Sequence, residues 1–229
     1  MSTKRVAFVN TVTTLPSVFK ALVNELAPQL DVFSIVDESL LQNTIRSGEL
    51  TKPTILRLVN YLSMAQQAGA DIVMVTCSSI GPAADIGRSL VDIPVLRVDE
   101  AMAERALECG SRIGVAATLS TTLKPTADLI QRKASEAGKQ VTIVSKVCTG
   151  AFEALSAGDT NLHDCLVAQG LKELMSQVDV VVLAQASMAR VLSTLAADVV
   201  HAPVLSSPEL AVLSARKALK LPQLARAGA

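Results

Sequence analysis

Aromatic side chains are scarce in this sequence, and its charges are balanced. The 229 residues include no tryptophan, one tyrosine and four phenylalanines, so stacking platforms for bases or sugars are largely missing. The 21 basic side chains equal the 21 acidic ones in number, and the basic residues occur as short pairs such as Lys4-Arg5. Because binding to a phosphate backbone needs a basic stripe, we expect no nucleic-acid partner. A small, aliphatic, polar ligand fits better.

Long apolar runs are also missing. The longest, such as 180–184, have only a few residues, whereas a bilayer span needs roughly 18 to 20. Near the start, Asn10, Thr11, Thr13 and Thr14 interrupt the apolar stretch that a signal peptide would need. We therefore expect no membrane partner and a cytoplasmic location.

The cysteines lack the spacing of metal ligands. Cys77, Cys109, Cys148 and Cys165 form no CxxC pair, and the sequence has only two histidines, which favours neither a zinc site nor a disulfide framework. The GxSxG elbow, the Walker A loop and a GxGxxG after a strand are missing too. Serine hydrolases, P-loop enzymes and Rossmann dehydrogenases therefore lack their defining features here. We expect no metal and no cofactor.

Short β-branched apolar runs alternate with longer amphipathic segments along the whole chain. This pattern is typical of parallel sheets with helices on both faces, so the predicted fold class is α/β. Eight strands are predicted, at Arg5–Asn10, Val32–Val36, Asp71–Thr76, Val95–Val98, Arg112–Ala116, Val141–Val147, Asp179–Ala184 and Val199–Leu205. The helical patterns between them include 17–27, 53–68, 99–109, 122–137, 162–177 and 208–220.

An internal repeat organises these elements. Segment 5–11 corresponds to 112–118, segment 70–79 to 178–187, and segment 94–96 to 203–205, at nearly one offset. A single match can arise from composition, but three in order indicate a repeated unit. We expect two similar lobes, each with a four-stranded parallel sheet: 1–98 with 207–229, and 99–206. A pseudo-two-fold axis would relate the lobes, and the cleft between them is the expected site.

Small hydroxyl and amide side chains crowd four places where a predicted strand ends and a helix begins. Ligands of parallel sheets bind beyond these carboxyl ends, and helix N-termini offer N–H groups to an anion. Ordinary helix capping by serine and threonine explains any single junction about as well as an anion site does, but it explains four such junctions together less well. The candidate substrate-binding residues are Asn10, Thr11, Ser78, Ser79, Thr118, Ser120, Thr121, Thr122 and Ser187.

Cys77 is the strongly nucleophilic side chain at these junctions. The helix dipole and neighbouring donors are expected to lower the pKa of its thiol towards working pH, so that it acts as a base or nucleophile. A buried cysteine that only packs is the simpler alternative. Cys148 ends the sixth strand and is a lesser candidate. The other two cysteines, Cys109 and Cys165, are expected to pack in the core. The two histidines, His163 and His201, are expected to cap a helix or lie at the surface.

Over almost its whole length the sequence resembles the aspartate/glutamate racemase superfamily, which includes hydantoin racemases, maleate isomerases and arylmalonate decarboxylases. The resemblance depends on the repeat and on three motifs. These are Val-Thr-Cys77-Ser-Ser after the third strand, Ile113-Gly-Val-Ala-Ala-Thr118 with Ser120, Thr121 and Thr122 after the fifth, and Val181-Val-Leu-Ala-Gln185 after the seventh. It implies two lobes that each place one cysteine beside the carbon next to a carboxylate, on opposite faces.

The resemblance assigns Cys77 as the first catalytic cysteine, with Ser78 and Ser79 as the donors that follow it. Gln185 stands where the second cysteine is expected. An amide neither gives nor takes a proton at neutral pH as a thiol does. The first strand also lacks the acidic motif of glutamate racemases, and Gln185-Ala186-Ser187 lacks their Cys-Thr-His motif. Glutamate racemase itself is therefore not the expected activity.

Three kinds of chemistry fit one thiol. Cys77 could protonate an enediolate formed by decarboxylation, or shuttle a proton on one face in an isomerisation. It could also add covalently to an alkene or carbonyl while Gln185 orients the substrate. Cys148 or a substrate group could supply the missing acid, and the hydroxyl and amide side chains would hold the oxyanion.

The predicted function is a cofactor-independent isomerase of racemase type. It would act next to a carboxylate or carbonyl of a small carboxylic acid or hydantoin-like substrate, with Cys77 and Gln185 as its catalytic residues. The alternatives are a decarboxylase of a malonate-like acid and a non-catalytic protein that binds small carboxylates. The resemblance also implies a homodimer or a higher homo-oligomer.

Overall fold

The computed structural model describes residues 3–195 and 201–222. The strands in this part of the chain are β1 (Arg5–Asn10), β2 (Asp31–Val36), β3 (Ile72–Val75), β4 (Val95–Arg97), β5 (Arg112–Ala117), β6 (Thr142–Val147), β7 (Val180–Leu183) and β8 (Val204–Leu205). The α-helices are α1 (Leu15–Leu26), α2 (Glu38–Ser47), α3 (Lys52–Gln67), α4 (Gly81–Gly87), α5 (Glu100–Cys109), α6 (Ser120–Glu136), α7 (Ala151–Ser156), α8 (Thr160–Met175) and α9 (Ser207–Ala218). The 3₁₀ helices are Ser78–Ile80, Arg88–Leu90 and Ala186–Thr194.

The strands form two sheets with the same topology. The first sheet has the order β2-β1-β3-β4, and the second has the order β6-β5-β7-β8. Every neighbouring pair is parallel, and helices connect the successive strands, as parallel pairing requires. The predicted α/β class with two four-stranded parallel sheets is therefore confirmed.

Seven predicted strands agree with the observed ones to within one residue at each end. The eighth, predicted at Val199–Leu205, is observed only at Val204–Leu205, and residues 199 and 200 lie outside the described part. Pro203 explains the late start, because it has no N–H to donate to the ladder. Its carbonyl still accepts the Val181 N–H at 2.9 Å. Helices α2, α4 and α7 have no counterpart among the predicted patterns.

The inner strands are apolar because both faces of each sheet are covered. β3 reads Ile-Val-Met-Val and β7 reads Val-Val-Val-Leu, and every residue of both is buried. Runs without polar alternation are typical of such strands. Packing in the second sheet is close: a Cβ on Gly170 of α8 would lie 2.6 Å from Sγ of Cys148.

The chain divides into two units, Met1–Val98 with Pro208–Ala229, and Asp99–Ser207. The sequence places the second boundary between 206 and 207. In the first unit α9 packs with α1 and β3 in one apolar cluster, so the last helix belongs to this unit. Within residues 3–195 and 201–222, no helix is both long and apolar enough to cross a membrane.

Candidate active site

Cys77 lies just beyond the carboxyl end of β3 and starts the 3₁₀ helix Ser78–Ile80. Its backbone is extended (φ −129°, ψ 118°), and its carbonyl accepts the Ile80 N–H at 3.3 Å. Ser78 and Ser79 are buried beside it. The thiol therefore lies at the first turn of a helix, where N–H groups have no earlier carbonyl to bind.

Donors from two elements act on the Cys77 thiol. The N–H groups of Ser79 and Ile80 and the Ser79 hydroxyl come from the turn itself, and the Thr11 hydroxyl comes from the end of β1. Thr11 Oγ1 is enclosed and forms no hydrogen bond of ordinary geometry with any described residue, the Cys77 sulfur included.

Burial nevertheless raises the pKa of the Cys77 thiol above its ordinary value, and the donors offset this only in part. The expectation that the pKa of Cys77 is lowered is therefore wrong. The thiolate loses more by leaving water than it gains from N–H and O–H donors. At neutral pH the thiol is protonated.

Asn10 and Thr76 connect the carboxyl ends of β1 and β3. The Thr76 hydroxyl lies 2.9 Å from Asn10 Oδ1 and 3.1 Å from the Val9 carbonyl. Asn10 Nδ2 donates to the Phe8 carbonyl at 3.2 Å. Both atoms of the buried Asn10 amide are thus bonded within the unit, so this residue supports the sheet edge, and its contact with a substrate stays a prediction.

Gln185 lies just beyond β7 and precedes the 3₁₀ helix Ala186–Thr194. Its Oε1 accepts the backbone N–H of Thr118 at 2.6 Å and the Thr118 hydroxyl at 2.9 Å. Because a backbone N–H can only donate, the amide atom that faces it must be the oxygen. The Gln185 amide therefore turns its two Nε2 hydrogens away from Thr118, as donors.

The two units use corresponding positions for these contacts. Thr11 follows β1 and Thr118 follows β5, while Cys77 follows β3 and Gln185 follows β7. In the second unit the Thr118 hydroxyl donates to Gln185 Oε1. In the first unit the Thr11 hydroxyl counters the rise in the pKa of the Cys77 thiol but forms no hydrogen bond of ordinary geometry with any described residue. Gln185 is thus the counterpart of Cys77 in the second unit.

The other hydroxyl candidates differ in exposure. Thr122 is buried, Thr121 and Ser187 are partly buried, and Ser120 is exposed. Thr121 Oγ1 is enclosed, and no described residue forms a hydrogen bond with it. A substrate role for these residues stays a prediction.

The residues at the N-cap positions of the four junctions do not cap their own helices through their side chains. These residues are Thr14, Cys77, Leu119 and Gln185.

Cys148 is a core residue. Its side chain is buried, and its Sγ lies against Gly170 of α8. Burial raises the pKa of its thiol; Lys146 counters this effect and Glu173 adds to it. This packing argues against Cys148 as the missing acid.

The structure corrects two smaller expectations. His163, expected to cap a helix or lie at the surface, is fully buried on α8, with Nδ1 2.8 Å from Asp164 Oδ1. It lies one turn before the buried Val167, on the face that packs inward. Cys165, expected to pack, is exposed, whereas Cys109 is partly buried. His201 is exposed, as expected.

Sequence reasoning missed Arg97. This residue ends β4, is 2% exposed and donates to Asp85 Oδ2 at 2.8 Å. The available signal was a charged residue inside the apolar strand pattern Val95–Val98. Within the described ranges, no three His, Cys, Asp or Glu side chains are grouped as metal ligands would be.

The fold is similar to that of several solved racemases. The glutamate racemase of Francisella tularensis in complex with D-glutamate has a TM-score of 0.74 at 14% identity, over 99% of this chain and 86% of that one. The allantoin racemase of Klebsiella pneumoniae has a TM-score of 0.68 at 18% identity, over 98% of this chain and 91% of that one. The aspartate racemase of Picrophilus torridus has a TM-score of 0.71 at 13% identity, over 96% of each chain. At these identities the likeness establishes the fold.

The model of the Asp/Glu/Hydantoin racemase family matches residues 8–215. The chain therefore belongs to the Asp/Glu/Hydantoin racemase family, and the resemblance found in the sequence is confirmed. No curated protein matches the sequence. Family membership supports a racemase-type function.

Proposed function

We propose that the protein is an isomerase of racemase type that acts at the carbon next to a carboxylate or carbonyl of a small acid, with Cys77 as its acid/base or nucleophile. The position of Cys77 carries this proposal: it lies just beyond β3 at the first turn of a helix, where the Thr11 hydroxyl and the N–H groups of Ser79 and Ile80 are close enough to counter the rise in the pKa of its thiol. A cysteine that only packs needs no such donors, whereas a thiol that passes through its thiolate does.

Gln185 takes the place of the second catalytic cysteine in this proposal. Its amide cannot exchange a proton with carbon, but its Nε2 hydrogens can bind an oxygen of the substrate. The two hydrogen bonds from Thr118 support that orientation. Proton transfer then occurs on one face: the thiol removes a proton from the carbon and returns it on that face, to the same carbon or to a neighbouring atom. Return to a neighbouring atom moves the proton or a double bond within the substrate and gives the isomer, whereas return to the same carbon only exchanges the proton with solvent and leaves the configuration unchanged.

Hydroxyl and N–H donors would hold the negative charge that develops in the reaction. When the proton leaves the carbon, its electron pair spreads onto the neighbouring carboxylate as an enediolate, which donors stabilise. We assign this role to Ser78, Thr121 and Ser187. Both donors of Thr118 are bonded to Gln185 Oε1, so the expected direct contact of Thr118 with the substrate gives way to a role in orienting that amide.

Small carboxylic acids and hydantoin-like compounds are the proposed substrates. One solved relative is a glutamate racemase with D-glutamate, and another is an allantoin racemase. The donor-rich, non-aromatic junctions suit both classes. A cofactor-free reaction, a cytoplasmic location and a homodimer or higher homo-oligomer stay predictions of the sequence.

A decarboxylase of a malonate-like acid is the second candidate, favoured by the raised pKa of Cys77. A protonated thiol, the main form of Cys77 at neutral pH, gives a proton, whereas the first candidate depends on the minor thiolate form to take one. Loss of CO2 breaks the carbon–carbon bond to the leaving carboxylate and leaves its electron pair in an enediolate. The S–H bond then breaks as its proton forms the new C–H bond, and the thiolate recovers a proton from water.

Proton NMR in D2O with a panel of amino acids, hydantoins, 2-substituted malonates and maleate tests the proposal. We expect the wild-type protein to exchange or convert one compound and Cys77→Ala to do neither. Cys148→Ala is the matched control, because it removes a thiol that faces the core, and it should retain activity. CO2 loss would select the second candidate. Saturable line broadening with both wild type and Cys77→Ala, without conversion by either, would overturn the enzyme in favour of a binding protein.

A further inference from the structure

A buried arginine lies next to the turn formed by residues 77–81, called here the Cys77 turn. Arg97, the last residue of β4, pairs in register with Val75, the last residue of β3. Its side chain is 2% exposed. Because a guanidinium stays charged at any ordinary pH, its burial is unfavourable unless partners compensate for the lost water.

The Arg97 guanidinium contacts α4 at two points one turn apart. A Cβ on Gly81 would lie 2.5 Å from Cζ and Nε of Arg97 and 2.6 Å from its Nη2, so only a glycine leaves room for the guanidinium there. Four residues further along α4, Asp85 Oδ2 accepts a hydrogen bond from Arg97 Nη1 at 2.8 Å. The arginine thereby restrains the start of α4.

A restraint on Gly81 reaches the thiol through the backbone. The Gly81 N–H donates to the Ser78 carbonyl, and this closes the Cys77 turn. Between these two residues lie Ser79 and Ile80. The Ile80 N–H donates to the Cys77 carbonyl at 3.3 Å, and the N–H groups of both residues are close enough to the Cys77 sulfur to counter the rise in its pKa. The turn, the donors and the guanidinium therefore form one connected unit.

We propose that Arg97 is a positioning residue for Cys77: its contacts with Gly81 and Asp85 hold the Cys77 turn closed beside the partly buried cysteine. This inference rests on the proposed function only in making Cys77 the reactive residue. The restraint itself acts on the free protein and needs no substrate.

Loss of the restraint changes the thiol in a definite direction. Burial raises the pKa of Cys77 by more than the donors of the turn lower it. An open turn weakens both effects, so the pKa falls, and reagents gain access to a residue that is partly buried in the closed turn. Both changes speed alkylation, and each pKa unit alters the thiolate fraction about tenfold. Replacing Arg97 should therefore make Cys77 more reactive.

The experiment measures alkylation by iodoacetamide at each cysteine as a function of pH, with mass spectrometry of the peptides. In Arg97→Gln and Gly81→Ala we expect Cys77 to react about tenfold faster at neutral pH, with its titration midpoint moved down. The exposed Cys165 is the internal reference and should keep its rate. Arg97→Lys retains a charge for Asp85 but not the planar contact with Gly81, so it should be intermediate. If Arg97→Gln does not fold, Gly81→Ala and Arg97→Lys carry the test.

Two control variants separate positioning from a general loss of stability. Gly87→Ala also crowds α4, but against Leu62 and not against Arg97. Arg88→Gln removes another arginine that pairs with Asp85, at 3.4 Å. Neither control should change Cys77 alkylation.

Two results would overturn the proposal. One is an alkylation rate of Cys77 that rises equally in Gly87→Ala and Gly81→Ala. The other is an unchanged alkylation rate in Arg97→Gln, or in Arg97→Lys where Arg97→Gln does not fold. The proposed function fails by a different result, a wild-type protein that converts no compound. The two failures are distinguishable because alkylation needs no substrate.

Discussion

Oε1 of Gln185 accepts two hydrogen bonds from Thr118, one from its backbone N–H at 2.6 Å and one from its hydroxyl at 2.9 Å. This pair determines which end of the amide is turned towards Thr118, and so leaves N–H donors for a ligand. In the first unit Thr11 stands at the corresponding position, where its hydroxyl counters the rise in the pKa of the Cys77 thiol but forms no hydrogen bond of ordinary geometry with any described residue. A duplicated position thus carries a group that can move a proton in one unit and a group that can only bind in the other.

Removal of the Thr118 hydroxyl is expected to loosen Gln185 and slow turnover. In Thr118→Val only the backbone N–H still holds Oε1. A lost hydrogen bond of this kind is worth about 1 kcal/mol, which corresponds to a decrease of roughly fivefold in kcat. Steady-state kinetics measure this decrease in kcat, with the compound that the protein converts in the NMR panel as substrate.

Thr126→Val is the matched control for that change. Thr126 is buried in α6, and its hydroxyl donates to the Thr122 carbonyl at 3.0 Å. This variant should lose about 1 kcal/mol in the free energy of unfolding and keep its kcat. Equal kcat values for Thr118→Val and Thr126→Val would show that the Gln185 orientation is irrelevant.

A cysteine at position 185 is expected to create a racemase. In Gln185→Cys the new thiol would lie beside the Thr118 N–H and hydroxyl, which favour a thiolate. Protons could then move on both faces of the carbon. Chiral chromatography should show interconversion of enantiomers by this variant and none by Gln185→Ser. Racemisation by the serine variant at the same rate would rule out this explanation.

The protonated thiol of Cys77 is expected to stabilise the fold up to alkaline pH. Since burial raises the pKa of Cys77 in the folded protein, this contribution is fully present below the pKa of an unfolded cysteine. It is lost as pH rises through the higher folded value. Urea titrations should show a steeper alkaline loss in the free energy of unfolding for wild type than for Cys77→Ser. Cys165→Ser, at an exposed position, should behave as wild type does; parallel curves for all three proteins would contradict this expectation.

Asp37 is expected to stabilise the first unit at neutral pH and to lose this effect in acid. It caps α2 by accepting the Ser39 N–H at 3.0 Å, and it accepts the Tyr61 hydroxyl at 2.8 Å. Burial alone would raise the pKa of Asp37, but hydrogen bonds from Ser39 and Tyr61, with Arg57 nearby, outweigh it and lower the pKa. The stabilisation is therefore present above the pKa of an unfolded aspartate and disappears as pH falls through the lower folded value.

Asp37→Asn keeps a capping side chain but removes the charge that faces Tyr61 and Arg57. It should lose about 1 kcal/mol in the free energy of unfolding at neutral pH, since hydrogen bonds to charged groups are stronger than neutral ones, and show a flatter decline in acid. Chemical denaturation at several pH values measures both effects. Tyr61→Phe removes one of the hydrogen bonds to Asp37, so its free energy of unfolding should lie between those of wild type and Asp37→Asn. An acid decline as steep in Asp37→Asn as in wild type would refute this role.

The positions of Cys77 and Gln185 could be predicted from the sequence because each ends an unbroken apolar strand. Parallel sheets bring such strand ends to one edge, so the pattern alone locates candidate residues. The pKa direction of Cys77 could not be predicted in the same way. It depends on how completely the turn and the neighbouring strand exclude water, and that is a property of tertiary packing.

His163 and Arg97 show a second limit of sequence patterns. Polar neighbours made the start of α8 read as exposed, yet His163 lies on its inward face. Arg97 is buried because a glycine on a different element, α4, leaves room for its guanidinium. Periodicity describes one element at a time and does not register such pairings.

Deuterium incorporation into a single enantiomer tests most directly whether Cys77 alone moves the proton while Gln185 only binds. With the compound that reacts, NMR in D2O gives the rate of deuterium entry, and chiral chromatography of the same sample gives the enantiomer content. For the wild-type protein we predict deuterium entry without change of configuration, and for Cys77→Ser no entry. Racemisation by wild type as fast as deuterium entry, or full exchange by Cys77→Ser, would contradict the one-thiol mechanism.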